Sequence, residues 1–309
     1  MTRSDHQLIV DGLTQPRAQI SPKYFYDQRG SELFEAITRL PEYYLTRTEQ
    51  LIMQTYGGQI AQRVGAGCTL IEPGAGNCSK ALALAQWLAP AWFVAVDISA
   101  DFVRAGVANL QQALPQLQTR CVAADLTQGL SLPADVPAPR RLVFYPGSSL
   151  GNFDPAQALA LLRHMRALLD ADGGLLLGVD LQKDPWVLEA AYNDAAQVTA
   201  AFNLNVLSHI NQLIGADFDL GQWQHFAYYN VAQSRIEMHL QASQAVRVSW
   251  PGGHRNFVAG ERIHTENSYK YSQDALQQLL TQAGFADCTV WTDPKQWFAV
   301  VHARPTAPL

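Results

Sequence analysis

Residues 69–81, TLIEPGAGNCSKA, decide the fold. The apolar pair Leu70-Ile71 leads into Glu72, then Gly74 and Gly76, then a segment able to start a helix at Ser79-Lys80. Glycines at that point let the backbone turn sharply and approach a ligand closely, and the helix that follows offers unpaired N–H groups. A second apolar run, WFVAV at 92–96, ends on Asp97. A strand, a glycine turn, a helix and a second strand closed by an acid make a unit that holds a nucleoside, with the acid accepting from ribose hydroxyls. The pattern predicts a nucleotide-derived cofactor.

Two cofactor classes compete for that unit. A dinucleotide site calls for G-x-G-x-x-G, with the third glycine permitting close helix–strand packing and the helix start facing a pyrophosphate. Here Ser79 holds the third position, and Glu72 lies two residues before the first glycine. That carboxylate is poorly placed beside a pyrophosphate and well placed beside a cation. S-adenosylmethionine carries an ammonium and a sulfonium and no phosphate, and the E-x-G-x-G turn resembles the opening of class I methyltransferases. A G-x-G alone is an ordinary tight turn. Asp97 and the later Ala123-Ala124-Asp125-Leu126 favour the methyltransferase reading, because Asp125 follows a third apolar run and can reach an adenine amino group.

Bulk composition suits an enzyme with a substantial core. The chain has 309 residues, of which 48% are hydrophobic and 16% charged, which excludes a disordered composition. A net charge of −5 without a Lys/Arg cluster argues against nucleic acid as substrate. The opening MTRSDHQLIVDGL lacks the long apolar region of a signal peptide, and no run reaches membrane-spanning length. Cys68, Cys78, Cys121 and Cys288 are scattered without C-x-x-C spacing and read as reduced thiols. The histidines show no ligand-like pairing, so no metal is expected.

The chain falls into three zones. Residues 1–60 read as helix and loop, with Thr46–Tyr56 the best helix. Residues 61–181 alternate short apolar runs with helical stretches, the pattern of a parallel sheet covered by helices. Strands are predicted at 69–72, 92–97, 119–123, 141–145 and 174–180, and helices at 80–87, 100–114 and 155–169. Asp154-Pro155 opens the last of these as an acidic cap followed by proline at the first position. The third zone predicts one long helix over 186–212, then strands at 226–229, 234–241 and 245–250. A helix at 274–283 and apolar runs at 288–291 and 297–303 read as an antiparallel pair closing the sheet.

Across these landmarks runs an ordered likeness to one family. PKYFYDQRGSELFEAITRLPEYYLTRTE at 22–49, EPGAGNCSK at 72–80, YPGSSLGNFDP at 145–155, AYNDAAQVTAAFNLNVL at 191–207, SRIEMHL at 234–240 and RIHTENSYKY at 262–271 resemble the ergothioneine-pathway histidine Nα-methyltransferases. The resemblance implies a class I methyltransferase (Rossmann-like) doubly wound α/β sheet, formed by 61–181 and 269–309, with a second α+β substrate domain from 1–60 and 182–268. It also implies transfer of methyl groups from S-adenosylmethionine to the α-amine of L-histidine, giving trimethylated hercynine and S-adenosylhomocysteine. A cytoplasmic monomer is expected. A tryptophan derivative is the nearest rival acceptor, since a related branch methylates such compounds.

Residue roles follow from the resemblance. For the cofactor it implies Tyr26, Glu72, Gly74, Gly76, Lys80, Asp97 on the ribose, and Asp125 with Leu126 on the adenine. On the substrate it implies Asn152 and Tyr192 at the carboxylate, Gly147 at the amine, Glu266 and Ser268 on the two imidazole nitrogens, and Tyr43, Met238 and Phe34 lining the site. Contributions from separate zones suit a cleft between domains. Tyr26, Tyr43 and Asn152 are assigned to catalysis, the two tyrosines as hydrogen-bonding positioners and proton relays and Asn152 as the residue that holds the substrate's backbone groups. Each has a plainer reading from sequence alone: Glu266 as a solvated strand residue, Met238 as core filler, Lys80 as a solvated first-turn lysine. Asn267, where relatives commonly carry an apolar residue, matters little if it points away from the site.

Overall fold

The computed structural model describes residues 4–97, 100–124 and 129–306, the side chains of 100–102 excepted. Asp125 and Leu126 lie outside the described residues. By contacts the chain divides into two compact units, Met1–Thr46 with Lys183–Tyr269, and Arg47–Gln182 with Lys270–Leu309.

In chain order the elements are α1 (Asp5–Thr14), α2 (Gln28–Ile37), α3 (Tyr44–Val64), β1 (Thr69–Pro73), α4 (Ser79–Leu88), β2 (Trp92–Asp97), α5 (Ala100–Ala113), β3 (Gln118–Ala123), β4 (Arg141–Tyr145), α6 (Pro155–Ala167) and β5 (Gly174–Asp180). Then follow α7 (Pro185–Ala190), α8 (Val198–Ile214), β6 (Trp223–Asn230), β7 (Arg235–Ala242), β8 (Val246–Trp250), β9 (Gly253–Phe257), β10 (Arg262–Tyr269), α9 (Gln273–Gln282), β11 (Phe285–Thr292) and β12 (Phe298–Pro305).

In the second unit, seven described strands form one sheet in the order β11-β12-β5-β4-β1-β2-β3. β1 to β5 run parallel, and β12 returns antiparallel between β5 and β11. β1 and β5 are buried along their whole length, as their near-continuous apolar sequences require of parallel strands covered on both faces. Ile71, Val94, Val143, Leu175 and Val301 pack there with Leu161, Met165, Leu276 and Leu280. Because the strands are parallel, their carboxyl ends share one edge, which gathers the glycine turn, Asp97, the loop after Tyr145 and Asp180. α6 begins as predicted. Asp154 accepts from the Gln157 N–H at 2.9 Å, Gln157 returns the bond to the Asp154 N–H at 3.2 Å, and Pro155 occupies the first position.

In the first unit, α8 packs against α2, β6 and β7, with Phe202, Val206, Leu207 and Ile210 on its buried side. Three described strands form an antiparallel sheet in the order β10-β7-β6, and β8 and β9 form a hairpin.

Three expectations need correction. The single helix over 186–212 is two, α7 and α8. Asp194 breaks it: its carboxylate accepts from the Val198 and Thr199 N–H groups at 2.8 Å each, capping a new helix. The helix placed at 46–56 extends over Tyr44–Val64. Finally, residues 47–60 group with the large sheet rather than the N-terminal segment. The chemistry is visible in the Trp291 indole donating to Gln59 at 3.0 Å and in the burial of Ile52 and Ile60.

β7 and β10 pair with a bulge between His264 and Glu266. The extra residue resets which side chains share a face. Met238 stands opposite Glu266 and Ile236 opposite Ser268, on one side; Glu237, His239, His264 and Asn267 share the other. On that second side Glu237 accepts from Arg235 at 2.8 and 2.6 Å, Asn230 at 2.9 Å, Tyr228 at 2.9 Å and His239 at 3.1 Å. The His239 and His264 rings, far apart in sequence, lie 5.2 Å apart edge to face. Asn267 bonds His264 at 2.8 Å, away from Glu266 and Ser268.

Burial would raise the Glu237 carboxyl, but hydrogen bonds from Arg235, Asn230 and Tyr228 outweigh it and bring the pKa down to about 2. Burial, aided by the neighbouring His264, pushes His239 down to about 4. Both groups therefore bind fewer protons folded than unfolded, so stability falls with acidification. His239 contributes to the loss from about pH 6.5 downward and Glu237 from about pH 4.3 toward 2. Glu237→Gln should cost about 3 kcal/mol, because it leaves the Arg235 cation without its buried partner. Its acid-unfolding profile should also lose the lower-pH segment. Urea titrations between pH 3 and 7 measure both.

Candidate functional site

The glycine turn is fixed before any ligand arrives. The Gly74 and Ala75 N–H groups donate to the Val96 carbonyl at 2.7 and 3.2 Å, and the Gly76 N–H donates to Asp97 at 3.1 Å. Gly74 has φ +70° and nothing stands where its Cβ would be, so the backbone there is open to a close approach. α4 then starts at Ser79 without a side-chain cap on its Cys78 N-terminus.

Glu72, at the end of β1, is 2% exposed, and its Oε2 has no hydrogen-bond partner. Burial holds its carboxyl well above the usual range; Glu49 and Asp97 reinforce the effect and Lys80 opposes it. A buried carboxyl with an unused oxygen beside an open glycine turn fits a cationic ligand, which favours its ionised form, whereas a pyrophosphate would gain nothing from that ionisation. The turn, Glu72 and Asp97 thus fit S-adenosylmethionine. Lys80 carries an ion pair to Glu49 at 2.7 Å.

Gly147 and Asn152 lie in the loop after β4. Gly147 adopts φ +77° and donates its N–H to Glu49 Oε1 at 2.8 Å. Ser148 donates its N–H to the Gly178 carbonyl at 3.2 Å, and its Oγ accepts from the Asp180 N–H at 2.9 Å. Asn152 closes a short 3-10 turn, Ser149–Asn152, and is half-buried. Glu49 was missed from sequence, where it is one more helical glutamate; Gly147, Lys80 and Asn152 were named.

In the first unit the named residues form a continuous line. Tyr26 sits between a 3-10 turn, Pro22–Phe25, and α2, whose cap Asp27 accepts from Gly30 at 2.6 Å and from Asn205 at 2.8 Å. The Tyr26 ring meets Phe34 at 5.8 Å, Phe34 meets Tyr43 at 6.4 Å, and Tyr43 meets Tyr192 at 6.4 Å, all edge to face. The Tyr192 hydroxyl donates to Ser268 Oγ at 2.8 Å. Ser268 and Glu266 share their strand face and are 4% and 8% exposed, while Met238 is buried opposite Glu266. Glu266 is thus no solvated strand residue. Tyr44 also belongs to the interior and accepts from Lys183 at 2.9 Å.

A buried polar chain holds this line in place. His225 Nε2 lies 2.8 Å from the Tyr192 carbonyl, so that nitrogen carries the proton and Nδ1 accepts from Asn203 at 2.9 Å. Burial lowers the His225 pKa, in keeping with a neutral ring. Asn203 Oδ1 in turn accepts from Thr265 at 2.8 Å, next to Glu266. Asn203 is fully buried, and a polar residue inside the apolar run FNLNVL is the sequence signal for this network.

The sheet order, with its antiparallel final strand, and the carboxylate-flanked glycine turn define a class I S-adenosylmethionine-dependent methyltransferase. A solved structure of the PH0226 protein from Pyrococcus horikoshii has a similar fold, with a TM-score of 0.52 at 10% identity over 91% of this chain and 100% of that one. The chain belongs to the family described as histidine-specific, SAM-dependent methyltransferases, whose model matches residues 5–305. It is similar to the histidine N-alpha-methyltransferase of Mycolicibacterium smegmatis, at 40% identity over 92% of this chain and 89% of that protein. The Mycobacterium tuberculosis protein of the same name is 37% identical over 92% of this chain and 90% of its own length. Ergothioneine biosynthesis protein 1 of Neurospora crassa is 30% identical over 89% of this chain, which spans 32% of that protein. Among the described residues, no helix is long and apolar enough to cross a membrane.

Glu72 generates a measurable linkage. Its raised pKa means that the folded protein holds a proton the unfolded chain releases, so its ionisation weakens the fold as pH rises above about 4.5. A bound cation favours the ionised form. S-adenosylmethionine binding should therefore expel protons at pH values above about 4.5 where the free protein still holds that proton, read by calorimetry across a pH series in buffers of different ionisation enthalpy. Glu72→Gln should abolish that release, and an unchanged release would refute the assignment.

Proposed function

We propose that this chain transfers methyl groups from S-adenosylmethionine to the α-amine of L-histidine, giving the trimethylated betaine as a step of ergothioneine biosynthesis, and does so as a cytoplasmic monomer. The observation that carries the histidine assignment is the pairing of Glu266 and Ser268 on one buried strand face. Neutral imidazole has one N–H donor and one bare nitrogen acceptor. Glu266 supplies an acceptor. Ser268 supplies a hydroxyl, which can donate to the bare nitrogen. The pair thus matches both ring nitrogens. An indole, with one N–H and no acceptor, matches only the Glu266 half of the pair.

What the bound cofactor supplies is an electrophilic methyl group on a sulfonium. The protein's share is alignment and exclusion of water, which account for most of the acceleration in such a displacement. Glu72, Gly74, Gly76, Asp97 and Lys80 are assigned to holding the cofactor, with Asp125 and Leu126 on its adenine. Asn152 offers an amide N–H to the carboxylate and a carbonyl to the amine. Tyr192 is assigned to the same carboxylate; its hydroxyl would exchange the Ser268 bond for a charge-assisted one. Gly147 contacts the amine. The amine attacks as the free base, and Tyr26 and Tyr43 position it, relay to water the proton lost after each of the first two transfers, and face the product cation with their rings. Phe34 and Met238 fill the remaining apolar boundary.

Incubation with S-adenosylmethionine and the twenty amino acids, read by mass spectrometry, should give increments of one to three methyls on histidine alone. Methylation of tryptophan and not histidine would sink the assignment. Glu266→Ala should lower kcat/KM for histidine by about a thousandfold, the size of loss seen when a site built to hydrogen-bond its substrate loses that partner. The Kd for S-adenosylhomocysteine should stay within about twofold of wild type, because Glu266 is not assigned to the cofactor. Equal loss of both would reject the role.

A further inference from the structure

Glu49 is a buried acid at this site that the functional reading leaves without a task. It lies on α3, is 4% exposed, and its two oxygens point at different partners. Oε1 accepts the Gly147 N–H at 2.8 Å, and Oε2 accepts from the Lys80 ammonium at 2.7 Å. Room for the carboxylate comes from a glycine: a Cβ on Gly178 would stand 2.1 Å from Glu49 Oε1. On the other side, a Cβ on Gly147 would stand 2.7 Å from the Lys80 ammonium. Glutamate, lysine and two glycines therefore interlock, and a side chain at either glycine would disrupt the arrangement.

We propose that Glu49 is a positioning residue for the methyl transfer, bridging Lys80 on the cofactor side and the Gly147 peptide on the amine side. This rests on the proposed function. With the Gly147 N–H consumed by Glu49, the peptide has only its carbonyl oxygen to offer, and an acceptor is what an amine N–H requires. The bond to Glu49 thus sets the polarity of the Gly147 contact. At the other oxygen, Glu49 holds the Lys80 ammonium over Gly147 and leaves two of its three donors for a ligand carboxylate. Its negative charge also offsets Lys80 beside a cofactor whose net charge is positive. An ion pair of purely structural value would give stability without affecting either substrate.

Glu49→Gln and Glu49→Ala separate these roles. Glutamine keeps an oxygen for the Gly147 N–H and presents an amide to Lys80, so it severs the ammonium end and removes the charge. Alanine severs both ends. Glu49→Gln should raise the calorimetric Kd for S-adenosylmethionine about tenfold, and that for the sulfonium-free S-adenosylhomocysteine less, with KM for histidine within about twofold. Glu49→Ala should in addition lower kcat/KM for histidine by a further tenfold or more. Thermal unfolding of each variant reports whether it is folded. Folded variants with unchanged Kd and KM values, or the same factor of loss for both cofactor forms and for histidine, would overturn the proposal. The cofactor titrations need no acceptor, so they test the Lys80 end even where histidine proves not to be the substrate.

Discussion

The parallel register of β1 against β2 is the constraint from which the cofactor half of the molecule follows. With Pro73 opposite Val96, the chain leaving β1 meets the Val96 carbonyl at once, and two successive N–H groups of the turn bind it. Asp97, one residue on, then receives the Gly76 N–H. The turn is therefore shaped by its neighbour strand and has little to reorganise when a ligand arrives. Glu72 is carried to the same edge by the same register, and its burial follows from the covering of β1 on both faces. A surface glutamate would be ionised and indifferent to its surroundings. Enclosed as it is, Glu72 responds to whatever charge comes close.

The first unit works by a different principle. Its named residues reach one another through ring edges and single hydrogen bonds, and the precision comes from the buried chain behind them. His225 has its N–H and its bare nitrogen both in use, Asn203 donates to His225 and the His239 carbonyl and accepts from Thr265, and together these bonds fix the imidazole tautomer and the orientation of the amide. Tyr192 is held through its backbone carbonyl at one end and its hydroxyl at the other.

Much of this was legible in the sequence, for identifiable reasons. Alternating apolar runs and the glycine turn carry the large sheet because parallel buried strands have few other compositions open to them. The Asp154-Pro155 start was legible because capping is local chemistry. The division at Asp194 was hidden, since 186–212 keeps helical composition throughout and the cap acts on residues four and five positions ahead. Among site residues, the glycine turn and Asp97 could be read from spacing. Glu266, Ser268, Tyr43 and Tyr192 could be named only through family likeness, because nothing in a strand or a loop announces which residues are enclosed. Glu49 escaped both routes: its partners are Lys80 and Gly147, and only the folded chain brings them together.

The bulge in β10 has a consequence for how such a protein can diversify. It places the charged network around Glu237 on one side of the strand and Glu266 and Ser268, the side chains assigned to the acceptor, on the other. Replacements at 266 or 268 can therefore change that face without disturbing the charges around Glu237. Deleting the extra residue, Thr265, would keep these pairings, with His264 still opposite His239 and Glu266 opposite Met238, and would cost the sheet the hydroxyl that bonds Asn203, so this face changes more cleanly by point substitution than by deletion.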